Sequence, residues 1–535
     1  MTVRFPQLPV RGLGAGLDLP WDGKTGFAAA GIAPGLRAFL RKNASSWAHT
    51  FFSWQPRDRQ APKLDDYAPA WDALAAELPP ELPRALHHTA LNLASLERYE
   101  RGELLELTAQ LCERYALRWV NEDVGFWSLA GRALPYPLPP LLDANGLRAT
   151  VANVREVQAA LPVPLVLEFP GFSRGASVVV GDWHAYDFFA ELAHETGQPV
   201  TLDTGHLLSW QWWRGRRGEA LFDELERLPL SHCFEIHLSG CEIAGDDFID
   251  AHHGKLLDEQ HELLRRLLAL CPNVKAITYE DPRFDVNGDW APGNAESWNR
   301  LAQQRDEWTP SPTKGEGARR AGGASQPSPV VLEENSLAAY LYGAAPLPDG
   351  AHGETEAIAT VRRMVLERQH RGTGGLRDWY PRTLAAWLAK HPADQSLHQL
   401  VAAFCASEAC AQWREHGDGI SLEEALYRFF TAEGLGDEDE FLSAVVRAIA
   451  VAPRARFRWP DQLHRTATGC VALTKDLILH AVVDGQYLRG PVTPLVAELL
   501  RGVPVNDVAS RFGVSAPEVA RVLGQMARQG LCRAA

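Results

Sequence analysis

Six short apolar runs in the first 285 residues each end in a side chain able to bind a metal or move a proton, and they recur at a nearly constant interval. ELPRALHH ends at His88, LRWVNED at Asp123, VPLVLE at Glu168, PVTLD at Asp203, CFEIH at His237 and VKAITYED at Glu280 and Asp281. The steps from His88 to Glu280 are 35, 45, 35, 34 and 43 residues. Helical patterns fill the gaps, as in Leu104 to Tyr115, Phe188 to Glu195 and His261 to Leu270. A strand, a helix and two loops take about that length, so the repeat predicts successive βα units. Adding Val10 to Leu17 (VRGLGAGL) and Ser45 to Phe52 (SSWAHTFF) makes eight strands. Eight parallel strands with crossover helices close into a TIM (β/α)8 barrel, whose active site lies at the C-terminal ends of the strands. The polar residues at those ends therefore converge on one mouth.

The converging set is His49, His88, Asp123, Glu168, Asp203, His206, His237, Asp250, His252 and Glu280. Imidazoles and carboxylates without an obligatory thiolate suit iron, manganese or zinc. Asp203 with His206, and Asp250 with His252, each bring two donors to one loop. Ten candidates exceed the four to six positions around one ion, so two or three metals are expected, with carboxylates bridging neighbouring cations. Glu168 and Asp203 each follow an apolar run, and a buried carboxylate is tolerated only when paired or metal-bound. In each of the adjacent pairs His87–His88 and His252–His253, one member is expected to be a non-ligand.

The remainder of the chain divides differently. With 535 residues it exceeds what one core usually organises. Residues 306–330 contain a Pro-, Gly- and Ser-rich stretch, Thr309 to Pro329, with no hydrophobic period. A segment of that composition reads as a flexible linker. It separates a barrel over 1–305 from a mainly helical domain over 331–454 and a small winged-helix-like domain over 455–535. In the helical part, Leu397, Leu400, Val401 and Phe404 form one stripe and Leu422, Ala425, Leu426 and Phe429 another. Ser421 and Glu424 read as a capping box for the second stripe. Leu477 to Gly490 reads as a hairpin turning at Asp484-Gly485. The helices after it carry a helix-turn-helix pattern around Gly513-Val514-Ser515.

Charge weighs against nucleic acid. The chain carries a formal net charge of -14, and residues 471–535 hold seven Lys and Arg against five Asp and Glu. No run of 18 apolar residues predicts a membrane span. Met1 to Leu17 lacks the features of a signal peptide, so a cytoplasmic location is expected. Eight cysteines without any CxxC spacing point to reduced thiols.

Seven segments in order carry a family resemblance: GLGAGL (Gly12 to Leu17), LHHTALNLAS (Leu86 to Ser95), VNEDVGFWS (Val120 to Ser128), VLEFPG (Val166 to Gly171), LDTGH (Leu202 to His206), IHLSGC with DFIDAHH (Ile236 to His253), and TYEDP (Thr278 to Pro282). They resemble the multinuclear non-heme iron-dependent oxidase family (MNIO, DUF692), and loosely its methanobactin-biosynthesis branch. The resemblance covers about residues 10–285. It implies a TIM barrel with two or three iron ions (Fe2+/Fe3+) and O2 as co-substrate, modifying cysteine or another residue of a ribosomally made precursor peptide. Carried over by motif, His49, His88, Asp123, Glu168, His206, Asp250, His252 and Glu280 would be metal ligands. Asp203 is then either a ligand or a partner orienting His206, and Asp203 and His237 stand as catalytic candidates. The chain departs from the family pattern at Cys241, where many members have His, at His206 for Asn, at Asp123 for His and at Phe169 for Asn.

Such oxidases work with a partner protein that binds the peptide's leader. Trp379 to Leu388 and Phe404 to Phe430 are similar to such partners, so the chain resembles an oxidase fused to its peptide-binding partner. The terminal winged helix resembles small leader-recognition domains that take a peptide as an added strand. The competing reading is a metal-dependent barrel of the sugar isomerase or apurinic endonuclease type, using Mn, Mg or Zn. A barrel that has lost activity and serves as a binding scaffold is a third, disfavoured by an intact ligand set.

Overall fold

A computed structural model describes residues 3–8, 12–17, 32–54, 64–96, 101–129, 131–172, 177–307, 337–338, 340–341, 351–352, 376–391, 397–413, 420–451, 463–465, 469–483 and 486–532. Thr309 to Pro329 and the Asp484-Gly485 turn lie outside the described residues. The chain separates into two compact units, one of Met1–Leu341 with Ala345–Val361, the other of Tyr342–Ala344 with Arg362–Ala535.

The first unit is a TIM barrel. Its strands are β1 (Gly12–Leu17), β2 (Thr50–Trp54), β3 (Arg84–His88), β4 (Val120–Asp123), β5 (Leu165–Glu168), β6 (Val200–Asp203), β7 (Cys233–Leu238) and β8 (Ala276–Glu280). Each pairs in parallel with its sequence neighbours, and β8 closes onto β1. A helix follows every strand: Pro34–Asn43, Leu64–Ala75, Gly102–Arg114, Ala144–Ala160, Ala185–Thr196, Thr204–Trp213, Asp258–Leu270 and Asn294–Glu307. Six of the strands end at or beside the residues that the spacing singled out.

Side chains alternate across each strand, so every second residue faces the barrel interior. Leu86, Val120, Leu165, Leu167, Leu202, Ile236 and Tyr279 join the large apolar cluster that includes residues of the surrounding helices. Phe51, Ala85, Trp119, Val166, Phe234 and Ala276 form a separate cluster with Phe5 and Leu8 from the N-terminal segment. On β1 the interior positions are Gly14 and Gly16. A Cβ at Gly14 would fall 2.6 Å from His49 Nε2, and one at Gly16 would strike the Phe51 ring. The alternating glycines of GLGAGL thus leave room for large side chains of β2.

One boundary differs from expectation. The second strand begins at Thr50, because Ala44–Ser46 forms a 3-10 turn. His49 therefore precedes the strand, far from its C-terminal end at Trp54. No helix among the described residues is long and apolar enough to cross a membrane.

The described residues of the second unit are mainly helical up to Val451. Leu400, Val401, Phe404, Leu422, Ala425, Leu426 and Phe429 are buried, as their periodicity predicts. Trp387, Phe404 and Phe429 pack ring against ring, at 5.4 Å and 5.7 Å from Phe429. The capping box forms only in part. Ser421 Oγ accepts the Glu424 amide at 3.2 Å, but the Glu424 carboxylate pairs with Arg428 instead of reaching back. A four-stranded antiparallel sheet follows, in the order Leu463–Arg465, Gly469–Leu473, Ile478–Val483, Gln486–Pro491. Phe441, Leu442, Val445 and Val446 cover one face of it, while Leu500 and Leu531 pack with Val471, Leu479 and Ala481 on the other. Helices Pro494–Leu500, Val505–Phe512 and Ala516–Arg528 complete the chain and share a small core of their own.

Candidate metal centre

The barrel mouth gathers His87, Asp123, Glu168, Asp203, His237 and Glu280 from the ends of β3 to β8. Two loops add to them. The β6 strand runs straight into helix Thr204–Trp213, because Asp203 caps it: its Oδ1 accepts the His206 amide at 2.7 Å. That cap swings His206 back over the mouth, which is the structural content of the Asp-x-x-His spacing. After β7, the hairpin Cys241–Ala244 with Asp247–Asp250 places Asp250 opposite Cys241. His252 then follows with φ +46, and Asp281 at the end of β8 has φ +48. Left-handed backbone at non-glycine residues is strained and is found where side-chain aim matters.

Glu168 is the centre of a first group. Its Oε2 lies 3.0 Å from His87 Nε2, and its Oε1 lies 3.2 Å from His237 Nδ1. His237 Nδ1 is also 2.7 Å from Glu280 Oε1. Donor atoms of these four residues all fall within 4.8 Å of one another. Asn121 donates to Glu168 Oε2 and accepts from Thr201 Oγ1 at 2.9 Å, which fixes the carboxylate from below.

A second group surrounds His206. Asp123, Glu168 and His206 satisfy the same distance criterion, with His206 Nδ1 3.6 Å from Asp123 Oδ1. Yet that nitrogen is 2.7 Å from the Phe169 carbonyl, an acceptor only, so it carries the proton. The lone pair of His206 is then on Nε2, which faces Asp250 Oδ2 at 3.2 Å. His252 repeats the arrangement: Nδ1 donates to Asp281 Oδ2 at 2.7 Å, and Nε2 faces the same Asp250 oxygen at 3.0 Å. Ser239 Oγ donates to the other Asp250 oxygen at 2.7 Å. Two imidazole Nε2 atoms thus face one carboxylate oxygen, a contact that either ring protons or a bound cation would satisfy.

The electrostatics agree. Burial, reinforced by Glu168, pushes Asp123 up to about 8, and burial with Asp250, Glu280 and Glu168 pushes Asp203 to about 7 against the pull of His206. Burial alone would lower His206, His237 and His252, but the surrounding carboxylates hold all three well above the ordinary imidazole value. Asp203 Oδ2 is buried without a hydrogen-bond partner, and Asp123 Oδ1 and Glu280 Oε1 meet only the histidine nitrogens given above, in ion-pair contacts rather than hydrogen bonds. Among the described residues no Lys or Arg pairs with any of these carboxylates. Orphaned carboxylate oxygens, with imidazoles whose far nitrogens rest on a carbonyl or a carboxylate, fit a site for more than one divalent or trivalent cation.

Two expected ligands are corrected. His88 is fully buried, and both its nitrogens are engaged away from the mouth: Nδ1 accepts the Ala90 amide at 3.1 Å, and Nε2 meets Thr108 Oγ1 of helix Gly102–Arg114 at 3.3 Å. It shares a face with Leu86, toward the helices, and lies beside Glu122 of the next strand at 3.1 Å. His87 takes the mouth position because it alternates with Ala85 on the inner face. His49 sits a layer below the mouth, 2.8 Å from Thr278 Oγ1 and against the Trp119 ring. Burial, with His237 adding and Glu235 opposing, pushes it down to about 4, so it is neutral. The structure brings Asp123, Glu168, Asp203, His206, His237, Asp250, His252 and Glu280 together. His253 turns away and accepts the Lys255 amide at 3.2 Å.

Sequence reasoning missed His87, Asp281 and Glu235. Period-two alternation could have found the first and third: Glu235 shares its face with His237 and is fully buried. Asp281 was singled out as a strand end but not given its role, since its aim at His252 depends on left-handed backbone just past the strand.

Residues 67–284 match the family described as RiPP precursor modification enzyme MbnB/TglH/ChrH. A UPF0276 protein of Rhizobium meliloti (strain 1021) is 26% identical over 216 residues, 39% of this chain and 67% of that protein. A UPF0276 protein of Bordetella pertussis (strain Tohama I) is 27% identical over 203 residues, 37% of this chain and 68% of that one. Among solved structures, a DUF72 family protein from Thermotoga maritima aligns over 55% of this chain and 98% of its own, at 13% identity and a TM-score of 0.32. That likeness adds nothing to the barrel already read from strand pairing.

Proposed function

We propose, from the match of residues 67–284 to the RiPP precursor modification enzymes, that this chain is an iron- and O2-dependent oxidase acting on a residue, cysteine foremost, of a ribosomally synthesised precursor peptide. The observation that carries this reading is the convergence at the mouth of four imidazoles, His87, His206, His237 and His252, on buried carboxylates that no Lys or Arg among the described residues neutralises. His87, Glu168, His237 and Glu280 would hold one iron, and His206, Asp250 and His252 another, with Asp123 beside Glu168 within reach of both. Bound iron would supply the redox chemistry with O2 that side chains lack. The chain's own residues do the rest. The Phe169 carbonyl and Asp281 aim the two outer imidazoles. Asp203 Oδ2, which has no hydrogen-bond partner, would be the group that accepts a proton in the reaction. Buried aromatic rings behind the mouth, Phe169, Phe172 and Tyr186, keep water from that side.

Of the region 331–454, the part from Arg362 onward, which lies in the second unit, is then the fused partner that holds the leader, and 455–535 a peptide-recognition module. Covalent fusion of the two functions raises the effective concentration of the reacting residue, to about millimolar for short tethers.

Protein purified from iron-replete cells should carry more than one iron per chain and consume O2 when given the cysteine-containing peptide encoded beside it. One equivalent of zinc with negligible iron would refute the reading. Cutting the chain within Thr309 to Pro329 should leave a barrel that loads iron but turns over peptide poorly until the C-terminal piece is added back. A barrel that processes peptide as well alone would assign the second unit another task.

A further inference from the structure

Strand register sorts the inner side chains into layers of four drawn from alternate strands, as the stagger of a closed eight-stranded barrel requires. Ser53 of β2 is aligned with His87 of β3, Asp123 of β4 with Glu168 of β5, Asp203 of β6 with His237 of β7, and Glu280 of β8 with Gly16 of β1. Ser53, Asp123, Asp203 and Glu280 therefore make the outermost layer, and Gly16, His87, Glu168 and His237 the one beneath it. Three of the four positions in each layer carry a candidate metal donor. The two that do not, Gly16 and Ser53, sit on neighbouring strands, so one quarter of the mouth lacks a donor in both layers. Phe51 closes that quarter from below. Its ring occupies the space a Cβ of Gly16 would need, 5.1 Å from the His87 ring and 5.4 Å from the His237 ring. Exposure marks the same quarter. Ser53 is 7% exposed against 5% for Asp123, 4% for Glu280 and 0% for Asp203. Its register partner His87 has a side chain 12% exposed, where Glu168 and His237 have 1% and 0%.

We propose that this quarter is the seat of the peptide residue that the barrel modifies, with Phe51 as its floor and Ser53 as the side chain that sets the size of the guest. In the other three quarters, imidazoles and carboxylates fill both layers and leave no room for a guest beside them. Here a guest rests on an apolar ring and against a small hydroxyl. The strands that flank the quarter carry His87 on one side and Glu280 on the other, so the guest lies next to the donors without displacing one. A small uncharged side chain suits those surroundings: a thiol, a hydroxymethyl or a short aliphatic group. An acidic side chain would meet Glu168 and Glu280, which no Lys or Arg among the described residues offsets, and such repulsion is a means of rejecting a wrong partner. The proposal also explains the second interior glycine of GLGAGL, because only at a residue without a side chain can the Phe51 ring stand under the donors.

The inference rests on the peptide-oxidase reading for the nature of the guest, and its first test needs neither iron nor O2. The probe is N-acetylcysteine amide activated as its 2-thiopyridyl disulfide, offered to the metal-stripped full chain. A protein thiol displaces 2-thiopyridone and keeps the probe as a mixed disulfide. Cys532→Ala serves as the background, because the other seven native thiols are buried. In it, Ser53→Cys should label at least about tenfold faster than the background, with the probe found at position 53 by mass spectrometry. Val166→Cys, one layer below Phe51, should stay unlabelled. An inert Ser53→Cys thiol, or a Val166→Cys thiol that labels as fast, overturns the proposal. The second test keeps the proposal open to refutation if Ser53→Cys does not fold. Ser53→Leu fills the quarter and removes no donor, so it should load iron as the wild type does. It should modify the cysteine-containing precursor peptide about a hundredfold more slowly, the cost of a guest displaced by about 1 Å. Unchanged turnover, or loss of iron, in Ser53→Leu overturns the proposal. A wild-type chain that labels as expected through Ser53→Cys but loads no iron would overturn the oxidase reading and leave the seat in place.

Discussion

Adjacent histidines on β3 should respond to replacement in opposite ways. His87→Ala removes one of the four donors around Glu168, from a ring that is 12% exposed. Water can take over its hydrogen bond to Glu168, so the loss of stability should stay below about 1.5 kcal/mol. Metal affinity at that site should fall by more than the tenfold to roughly hundredfold that loss of an outer partner typically costs. His88→Ala does the reverse. It empties a fully buried space between β3 and helix Gly102–Arg114 and strands the Ala90 amide. Removing a side chain of this size from a core costs about 2–5 kcal/mol, and an orphaned buried donor adds about 1 kcal/mol or more. For a domain this large, each kcal/mol lowers Tm by about 2–4 °C, so a drop of roughly 6–24 °C is expected. Melting curves of chelator-treated protein, together with iron content after reconstitution, read both effects. If His88→Ala lost iron at unchanged Tm while His87→Ala kept its full complement, the assignment of faces on β3 would be wrong.

Glu168→Ala should strip all iron rather than one equivalent, because Glu168 touches donors of both groups; a variant retaining half the iron with an intact far-ultraviolet spectrum would show the two sites to be independent. Gly14→Ala should destabilise the barrel by about 1–3 kcal/mol through collision with His49, and an unchanged melting temperature would contradict the packing described for β1. His184 caps helix Ala185–Thr196 by accepting the Tyr186 amide, and burial, with Arg227 and Arg214 adding and Glu224 and Asp187 opposing, pushes it down to about 4. The unfolded chain then binds the proton first, so stability present above about pH 6.5 is lost as pH falls toward 4, by about 2–3 kcal/mol. His184→Asn keeps a capping side chain but cannot titrate, so urea melts at pH 7 and pH 4.5 should show the wild type losing more than the variant; parallel losses would refute the linkage.

The sequence by itself carried the periodic information. A strand, a helix and two loops occupy a nearly fixed length, so the steps from His88 to Glu280 announced βα units, and closure of eight such units dictates a common mouth for Asp123, Glu168, Asp203 and Glu280. Local chemistry was legible where it acts over three or four residues: Asp203 before His206 is a helix cap whatever surrounds it, and Ser421 caps its helix for the same reason. Tertiary structure decided everything that depends on facing and depth. Which of His87 and His88 turns inward is set by the phase of alternation, and a strand shifted by one residue exchanges the two faces. His49 was misplaced because a 3-10 turn at Ala44–Ser46 delays its strand. The pairing of His206 with the Phe169 carbonyl and of His252 with Asp281 joins residues on different strands and loops. Those contacts choose which nitrogen of each ring points into the mouth, and no spacing along the chain encodes that choice.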